Sequence, residues 1–366
     1  MSVVEEARPA GKTLRNQPFR PLRVVAVDRL CDDAAAVTLA VPDEYAGEFA
    51  FQPGQSLTFR RIVDGTEHRR SYSICSPAGT SPRIGVRELP GGFCSRWLVH
   101  DVAVGDELEA QPPSGSFVAD PRIAARHVLI AAGSGITPML SITASVLVNP
   151  GSQVTLLYGN RHANTVMFAE ELADLKDAYG PRLHVVHVLS REPRGTDLFS
   201  CRLDRDRIRA LLSALVPVGS VDQFWLCGPF GMITDARAAL TDLGVDIARV
   251  HQELFFDEDV APVAITHTEA RASGPVSEVT ITVDGATSTL ALPRDVSILD
   301  AAQRSRDDLP FACKGGVCGT CRAKVSAGEV DMRRNYALED DEVSAGFVLT
   351  CQSFPTTDTL TVDFDA

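Results

Sequence analysis

Residues 311–321 read FACKGGVCGTC, which places three cysteines at the spacing C-x4-C-x2-C. A fourth thiol, that of Cys351, follows after a longer interval. Four thiolates, two on each iron, hold a [2Fe–2S] cluster, and this spacing is typical of such sites. Four-cysteine zinc sites usually contain two C-x2-C pairs, whereas this stretch has one. The pattern therefore favours a cluster, over zinc or disulfide bonds, with the ligands Cys313, Cys318, Cys321 and Cys351.

A cluster of this kind passes one electron at a time, whereas a nicotinamide delivers two electrons together as hydride. A flavin is the usual converter between the two because it can also release electrons singly. The residues before the cluster stretch are therefore expected to hold a flavin site and a nicotinamide site.

Length and composition set the general class of the protein. A chain of 366 residues with 45% hydrophobic and 23% charged residues can form two or three globular domains. No apolar run approaches the length of a membrane span, and the N-terminal stretch lacks the apolar region of a signal peptide. Nine cysteines, four of them in the cluster pattern, point to a reducing cytoplasm.

Charge restricts the class of partner. The net charge of −13 argues against a nucleic acid, whose binding needs a basic surface. Residues 276–366 carry 15 Asp and Glu against 8 Lys and Arg. Such an acidic surface either steers the domain toward a basic protein partner or only keeps it in solution.

The first part of the chain, residues 19–118, is predicted to be an antiparallel β-barrel. Its short runs of strand-forming residues are separated by Pro, Gly and Asp, which favours many strands and tight turns. The predicted strands are 22–29, 36–41, 56–60, 69–74 and 83–88.

The motif RSYS at 70–73 is the first candidate flavin contact in this barrel. On a strand, Arg70 and Tyr72 share one face, where they could offer a guanidinium to a phosphate and a ring to the flavin. Ser73 is a candidate catalytic contact at the reacting edge of the flavin. The motif also occurs by chance in β-proteins, so its position among other motifs matters.

The motif GGFCS at 91–95 is the second candidate. A glycine pair that opens a short helix places backbone N–H groups where a phosphate could bind, with Gly92 and Ser95 as contacts. Arg87 lies just upstream and could join this pyrophosphate site. A plain glycine-rich turn is the alternative.

Residues 119–257 alternate between predicted strands and helices, a pattern typical of a doubly wound parallel sheet. The predicted strands are 127–132, 154–158, 183–189 and 223–227, and the helices are 136–148, 168–179, 203–215 and 232–243. Ligands bind such sheets at the carboxyl ends of the strands.

The first strand end carries G-x-G-x-x-P at 133–138, with Gly133, Gly135, Thr137 and Pro138 as predicted contacts of a dinucleotide. Its last residue departs from the G-x-G-x-x-G fingerprint, so a tight strand-to-helix turn is the competing interpretation.

Three later strand ends, and the stretch 251–256 that closes the domain, carry further candidates. Arginines favour the 2′-phosphate of NADPH over the bare ribose of NADH, although arginines at such positions can also cap helices or lie in solvent. A nicotinamide ring would fit beside the strand end that carries Cys227 and Gly228. Glu253 could make a polar contact with this ring, although a glutamate exposed at the surface is the commoner case. The residues concerned are Arg161, Ser190, Arg191, Cys227, Gly228 and Glu253, with Cys227 and Glu253 as candidate catalytic residues.

Taken together, these motifs resemble the ferredoxin–NADP reductase superfamily, followed by a domain similar to plant-type ferredoxins. Further stretches resemble the reductase subunits of bacterial phenylacetyl-CoA epoxidases, namely VMFAEEL at 166–172, HVLSREP at 187–193, NYALE at 335–339 and VLTCQ at 348–352. The resemblance implies an enzyme that uses FAD, NADPH and a [2Fe–2S] cluster to reduce a di-iron oxygenase. It assigns the flavin to Arg70, Tyr72 and Ser73, and the flavin phosphates to Gly92 and Ser95. It assigns the cluster to the four cysteines, and NADPH to Gly133, Thr137, Arg161, Ser190, Arg191 and Cys227.

The expected organisation is then multidomain: the flavin barrel at 19–118, an NADP-binding α/β domain at 119–257, a linker at 258–276 and an α+β, β-grasp ferredoxin-like domain at 277–366. The expected reaction is hydride transfer from NADPH to flavin, followed by single-electron steps through the cluster to the oxygenase. The alternatives are a reductase of another oxygenase, a general NAD(P)H:acceptor reductase and a non-catalytic cluster-binding sensor.

Overall fold

The computed structural model describes residues 18–255 and 275–366, apart from positions 64, 193, 194, 307 and 339. Nearly all of the predicted linker, 258–274, lies outside these ranges. Among the helices of the described residues, none combines the length and the apolarity that a membrane crossing requires.

The first unit is a six-stranded antiparallel barrel. Its elements are β1 Arg20–Cys31, β2 Ala34–Ala40, β3 Ser56–Val63, β4 Thr66–Ser73, β5 Arg83–Arg87, α1 Phe93–His100 and β6 Glu107–Ala110. The strand order is β4-β3-β6-β1-β2-β5, and a bridge between Ile74 and Ile84 joins the two outer strands. Alternate residues of these strands, such as Leu22, Val24 and Phe59, fill its interior.

The second unit is a five-stranded parallel sheet of order β11-β10-β7-β8-β9. Its elements are β7 Arg126–Ala132, α2 Ile136–Val146, β8 Gln153–Asn160, α3 Ala169–Tyr179, β9 Leu183–Leu189, α4 Arg205–Leu215, β10 Gln223–Pro229, α5 Phe230–Asp242 and β11 Val250–Phe255. Helices α2 and α3 pack on one face and α4 and α5 on the other, which explains why the central strands are apolar throughout. The predicted doubly wound sheet is confirmed.

Two helices begin two residues away from the predicted start. The helix predicted from 203 begins at Arg205, because the Asp204 side chain accepts a hydrogen bond from the Arg207 N–H and caps the helix. The helix predicted from 232 begins earlier, at Phe230, directly after a proline that stays extended.

One strand of the barrel was not predicted. The residues of β6, Glu107–Ala110, are poor strand formers, so local propensity does not indicate this element. Its pairing with β1 and β3 decides its conformation.

The barrel and the parallel sheet pack closely against each other. At Gly85 on β5, an added Cβ would lie 2.5 Å from Thr137 Cγ2 and 2.6 Å from Phe168 Cζ. Nearby, Arg83 donates to Asp28 of the barrel at 2.9 Å and to Glu171 of α3 at 3.1 Å. Because these contacts leave no space between the two units, the strand ends of the sheet are held against the barrel.

The third unit is a mixed sheet of order β13-β12-β18-β14-β16 with a separate two-stranded ribbon, β15 and β17. Its elements are β12 Val276–Val283, β13 Ala286–Pro293, α6 Ile298–Ala302, β14 Arg322–Ala327, β15 Val330–Met332, α7 Asp340–Ser344, β16 Phe347–Leu349, β17 Ser353–Pro355 and β18 Thr359–Asp363. Helix α6 packs its apolar residues on the sheet. A parallel β12–β18 pair beside the β12–β13 hairpin agrees with the expected β-grasp arrangement.

Candidate functional site

A largely buried polar group lies where the barrel meets the parallel sheet. Ser73 ends β4, and its Oγ donates a hydrogen bond to Glu253 Oε2 at 2.9 Å. Glu253 lies on β11 and pairs in register with Cys227 of β10. The three predicted catalytic residues are thus brought together, although the positions come from three distant parts of the chain.

The electrostatics of this group are unusual. Burial raises the pKa of Glu253 to about 7, although the hydrogen bond from Ser73 favours the ionised form. Burial, and then the nearby Glu253, raise the pKa of the Cys227 thiol well above its ordinary value. Near neutral pH, Glu253 therefore exchanges a proton while Cys227 stays a neutral thiol.

The RSYS strand presents the other predicted flavin contacts. Arg70 is exposed, and its Nη1 donates to the backbone oxygen of Arg69 at 2.7 Å. The ring of Tyr72 is half-buried, with its centroid 6.1 Å from that of Phe59. Burial raises the pKa of Tyr72, so the phenol remains neutral. A cation and a neutral ring on one strand face fit a phosphate and an aromatic ligand.

The turn before α1 is built by Ser95. Its Oγ accepts from the Leu89 N–H at 3.1 Å and donates to the Gly92 carbonyl at 3.1 Å. A Cβ on Gly92 would lie 2.5 Å from the Ser95 Oγ, so glycine is needed there. The hydroxyl thus fixes the turn, and the backbone N–H groups of the first helical turn are the donors suited to a phosphate.

Arg87 links the barrel to the nucleotide loop. Its Nε lies 3.3 Å from Asp33 Oδ1, and its Nη2 donates to the Thr165 carbonyl. Its Nη1 lies 3.3 Å from the point where a Cβ on Gly133 would stand. The side chain is therefore near the predicted phosphate loop, with Nη2 bonded to protein groups and Nε buried without a hydrogen-bond partner among the described residues.

The loop at 133–138 has the close packing that a dinucleotide site needs. Gly133 has φ +55°, and its carbonyl accepts from the Tyr158 hydroxyl at 3.0 Å. A Cβ on Gly135 would lie 2.2 Å from the Cys227 carbonyl. Thr137 Oγ1 donates to the Ser134 carbonyl at 2.9 Å, and Pro138 is buried in the first turn of α2. The loop therefore touches the strand that carries Cys227 and Gly228.

The predicted NADPH contacts lie at two neighbouring strand ends. The Ser190 N–H donates to the Asn160 carbonyl at 2.8 Å, and the Arg191 N–H donates to the Arg161 carbonyl at 2.9 Å. This pairing extends beyond β8 and β9, so both arginines lie at one exposed edge of the sheet. The Ser190 side chain is half-buried.

The four cluster cysteines lie in two pairs. The Cys313 thiol lies beside that of Cys318, and the Cys321 thiol beside that of Cys351. Contact with Cys318 and with backbone N–H groups lowers the pKa of Cys313 to about 6, whereas contact with Cys351 and burial raise that of Cys321. Contact with Cys313 and burial also raise the pKa of Cys318, so binding of metal as thiolates would release the protons that Cys318 and Cys321 hold.

The loop geometry also fits a cluster. Gly316 and Gly319 have φ +82° and +67°, in the region that favours glycine. The Tyr336 N–H donates to the Gly316 carbonyl at 3.0 Å, and the Gln352 side chain donates to the Lys314 carbonyl at 2.9 Å. These bonds hold the loop around the two thiol pairs.

Within the described ranges, no three His, Cys, Asp or Glu side chains converge on a point where one ion could bind. A two-iron cluster needs two pairs of thiolates, one pair on each iron. The paired arrangement of the thiols therefore agrees with a two-iron cluster.

Several contacts had no local signal in the sequence. Tyr158 lies near the end of a strand and holds the Gly133 carbonyl. Arg69 lies over the ring of Phe311, and Phe230 packs on Tyr336, so the barrel and the parallel sheet both contact the cluster-bearing unit. A hydroxyl close to a strand end is the only hint that could have identified Tyr158.

Three family descriptions match successive parts of this chain. Residues 21–118 match an oxidoreductase FAD-binding domain, residues 129–238 an oxidoreductase NAD-binding domain, and residues 281–356 a 2Fe-2S iron-sulfur cluster binding domain. Each match falls on one of the three units described above.

Curated relatives match over nearly the full length. The chain is 41% identical to a subunit of the 1,2-phenylacetyl-CoA epoxidase of Escherichia coli K12, covering 95% of this chain and 98% of the relative. It is 35% identical to the ferredoxin reductase component of 3-ketosteroid-9-alpha-monooxygenase of Rhodococcus rhodochrous, covering 94% and 96%.

A solved structure shows the same fold. Phthalate dioxygenase reductase, titled as a modular structure for electron transfer from pyridine nucleotides to [2Fe–2S], is 24% identical and superposes with a TM-score of 0.60 over 94% of this chain and 98% of that one. The chain is thus an oxidoreductase that belongs to the family of FAD- and [2Fe–2S]-dependent oxygenase reductases, which includes the 41%-identical component of phenylacetyl-CoA epoxidase.

Proposed function

We propose that this chain takes electrons from NADPH and delivers them, through FAD and its own cluster, to the oxygenase component of a phenylacetyl-CoA epoxidase. The observation that supports this acceptor is the 41% identity with one component of that enzyme over nearly both whole chains. In this proposal, residues 19–118 form a flavin domain, residues 119–257 a nucleotide domain and residues 277–366 a cluster domain.

When bound, a flavin accepts hydride from a nicotinamide and gives electrons singly to an iron–sulfur cluster. The protein's contribution is to bind and orient the reacting groups. Arg70 and the first turn of α1 would hold flavin phosphates, and the half-buried Tyr72 ring would pack on the flavin. The close contact of Gly135 with the Cys227 carbonyl would bring the nucleotide loop next to the nicotinamide pocket.

Glu253 and Ser73 would supply a proton-holding pair at this centre. With its pKa raised to about 7, Glu253 changes charge in the physiological range. The Ser73 Oγ donates a hydrogen bond to Oε2 of this carboxylate, so that bond changes with the charge. A carboxylate here would favour the positive charge that a nicotinamide gains when it gives up hydride. The neutral Cys227 thiol would help to keep water out of the pocket.

NADPH as the donor is supported by Arg161 and Arg191 at neighbouring strand ends, where guanidinium groups suit a 2′-phosphate. The family match over residues 129–238 is to an oxidoreductase NAD-binding domain.

The direct test mixes the purified protein with the oxygenase components of a phenylacetyl-CoA epoxidase, with and without phenylacetyl-CoA, and follows NADPH and product together. We expect product to form in step with NADPH oxidation and only when substrate is present. If the protein reduced an artificial acceptor but no product formed, the proposed electron transfer through flavin and cluster would stand. This oxygenase would then be excluded as the partner.

A second candidate is a reductase of another multicomponent oxygenase or a general NAD(P)H:acceptor reductase. The 35% identity with a 3-ketosteroid monooxygenase reductase favours the first of these over the second. The same assay with the oxygenase component of that enzyme and its steroid substrate separates the candidates, since only the matching oxygenase should couple NADPH oxidation to product.

A further inference from the structure

We infer that Arg69 and Phe230 of the reductase units, with Phe311 and Tyr336 of the cluster unit, form an internal docking contact that positions the cluster loop to receive electrons. The inference rests on the proposed electron path but not on the identity of the final acceptor. All four side chains lie in the described ranges and come from distant parts of the chain.

The first half of the docking contact joins β4 to the cluster loop. The Arg69 guanidinium carbon lies 4.3 Å from the centroid of the Phe311 ring. Arg69 is held in this orientation by an ion pair with Glu67 and by the ring of Phe19, 5.1 Å away. A guanidinium over a ring face is attracted by the ring's electrons. Arg69 directly precedes the predicted flavin contact on β4, whereas Phe311 lies two residues before the first cluster cysteine.

The second half joins the nucleotide unit to the other side of the loop. The rings of Phe230 and Tyr336 lie edge to face, with centroids 5.0 Å apart and planes at 62°. Phe230 begins α5, directly after Gly228 and Pro229, and still exposes 46% of its surface. The Tyr336 N–H donates to the carbonyl of Gly316, so this ring is attached to the cluster loop.

The arrangement indicates a positioning role. On the cluster side, both residues are tied to the loop that carries the thiols. On the reductase side, Arg69 directly precedes a predicted flavin contact along β4, and Phe230 follows the predicted nicotinamide contact Gly228 by two residues. A covalent connection raises the local concentration of the cluster but does not orient it. Two small contacts on opposite sides of the loop can fix its orientation while still allowing it to leave for an external acceptor.

The test separates two steps by rapid mixing of the holoenzyme with NADPH. In Arg69→Gln and in Tyr336→Leu, we expect flavin bleaching by NADPH at the normal rate, followed by reduction of the cluster that is about three- to tenfold slower. The EPR spectrum of the reduced cluster should be unchanged, because none of the ligands is altered.

Arg20→Gln is the matched control. Arg20 also pairs with a glutamate, Glu48 at 3.1 Å, and lies over a ring, that of Tyr45 at 4.6 Å, but both partners belong to the barrel. We expect this variant to leave both steps unchanged. The inference is overturned if Arg69→Gln and Tyr336→Leu leave cluster reduction at the normal rate, or if they slow both steps equally, which would indicate general damage.

Hydrogen exchange provides a measurement that does not depend on turnover. With Arg69→Gln in the barrel, we expect faster exchange of backbone amides at 311–320 and 331–338 in the cluster unit, and no such change with Arg20→Gln. Unchanged exchange in Arg69→Gln would overturn the inference. This outcome is distinct from failure of the proposed function, because loss of coupling to an epoxidase would leave both the exchange difference and the slowed cluster reduction in place.

Discussion

Ser73 and Glu253 lie 180 positions apart in the chain, and the Ser73 Oγ donates a hydrogen bond to Glu253 Oε2 at 2.9 Å. The bond joins the last residue of a barrel strand to a strand at the edge of the parallel sheet. Because burial raises the pKa of this carboxyl to about 7, the junction of the two units carries a proton that is exchanged near neutral pH.

The first prediction concerns stability. The pKa of Glu253 is about 7 in the folded chain, against an ordinary value of 4.5, so the folded state binds more protons between these values. The contribution of this group to stability should be highest below pH 4.5. It should fall through the window up to pH 7, by at most about 1.4 kcal/mol per pH unit. Glu253→Gln should remove this slope. Thermal unfolding at a series of pH values, with flavin bound, measures it; equal slopes in both proteins would contradict the assignment.

The second prediction concerns the hydroxyl. Ser73→Ala removes the hydrogen bond that favours the ionised carboxyl, so the pKa of Glu253 should rise further. We expect flavin reduction by NADPH to slow about tenfold at neutral pH and its pH profile to shift upward. Ser71→Ala is the control, because Ser71 lies on the same strand but pairs with Thr58 at 2.8 Å. A profile that stays in place would argue against proton sharing by this pair.

The third prediction concerns close packing in the nucleotide loop. Gly135→Ala would place a methyl group 2.2 Å from the Cys227 carbonyl, so backbone must move. We expect a loss of about 1–3 kcal/mol in stability and a raised KM for NADPH. Gly219→Ala, where no atom lies within 4 Å of the added carbon, should change neither. Denaturant unfolding and steady-state kinetics check both variants.

The fourth prediction concerns nucleotide choice. Replacing Arg161 and Arg191 together by Gln should lower kcat/KM for NADPH by about 10- to 100-fold, because charge-assisted contacts with the 2′-phosphate are lost. The value for NADH, which lacks that phosphate, should change little. Arg122→Gln is a suitable control, since Arg122 is exposed and pairs with Asp120. Equal losses with both nucleotides would remove the case for NADPH.

The fifth prediction concerns the cluster. Cys318→Ala should abolish the iron–sulfur absorbance and the EPR signal, because one iron loses a ligand. Flavin reduction by NADPH should stay within about twofold of normal, since the flavin and nucleotide sites lie in other units. Cys201→Ala should keep the cluster, because this half-buried thiol contacts Arg207 and not the loop. Iron content and absorbance spectra of both variants provide the measurement.

The sequence predicted what local patterns encode. The spacing of the cysteines, the alternation of strands and helices and the glycines at 133 and 135 all act over a few residues, so the fold class and the three candidate sites could be recognised. Side-chain contacts between residues that lie far apart in the sequence could not be predicted. Arg87, for example, was expected to bind phosphate, but its side chain also contacts Asp33 and the Thr165 carbonyl, and no local pattern connects those positions. The same holds for the Phe311 and Tyr336 contacts.

The absence of a side chain at position 85 has a consequence for recombination between relatives. A methyl group there would overlap Thr137 and Phe168, so the barrel and the parallel sheet must be inherited together with matched surfaces. A chimaera that joins this barrel to the nucleotide unit of another reductase would need side chains that fit over Gly85 as Thr137 and Phe168 do here. The cluster unit meets the rest of the chain through a few side chains, which makes a crossover before β12 the better place to exchange parts.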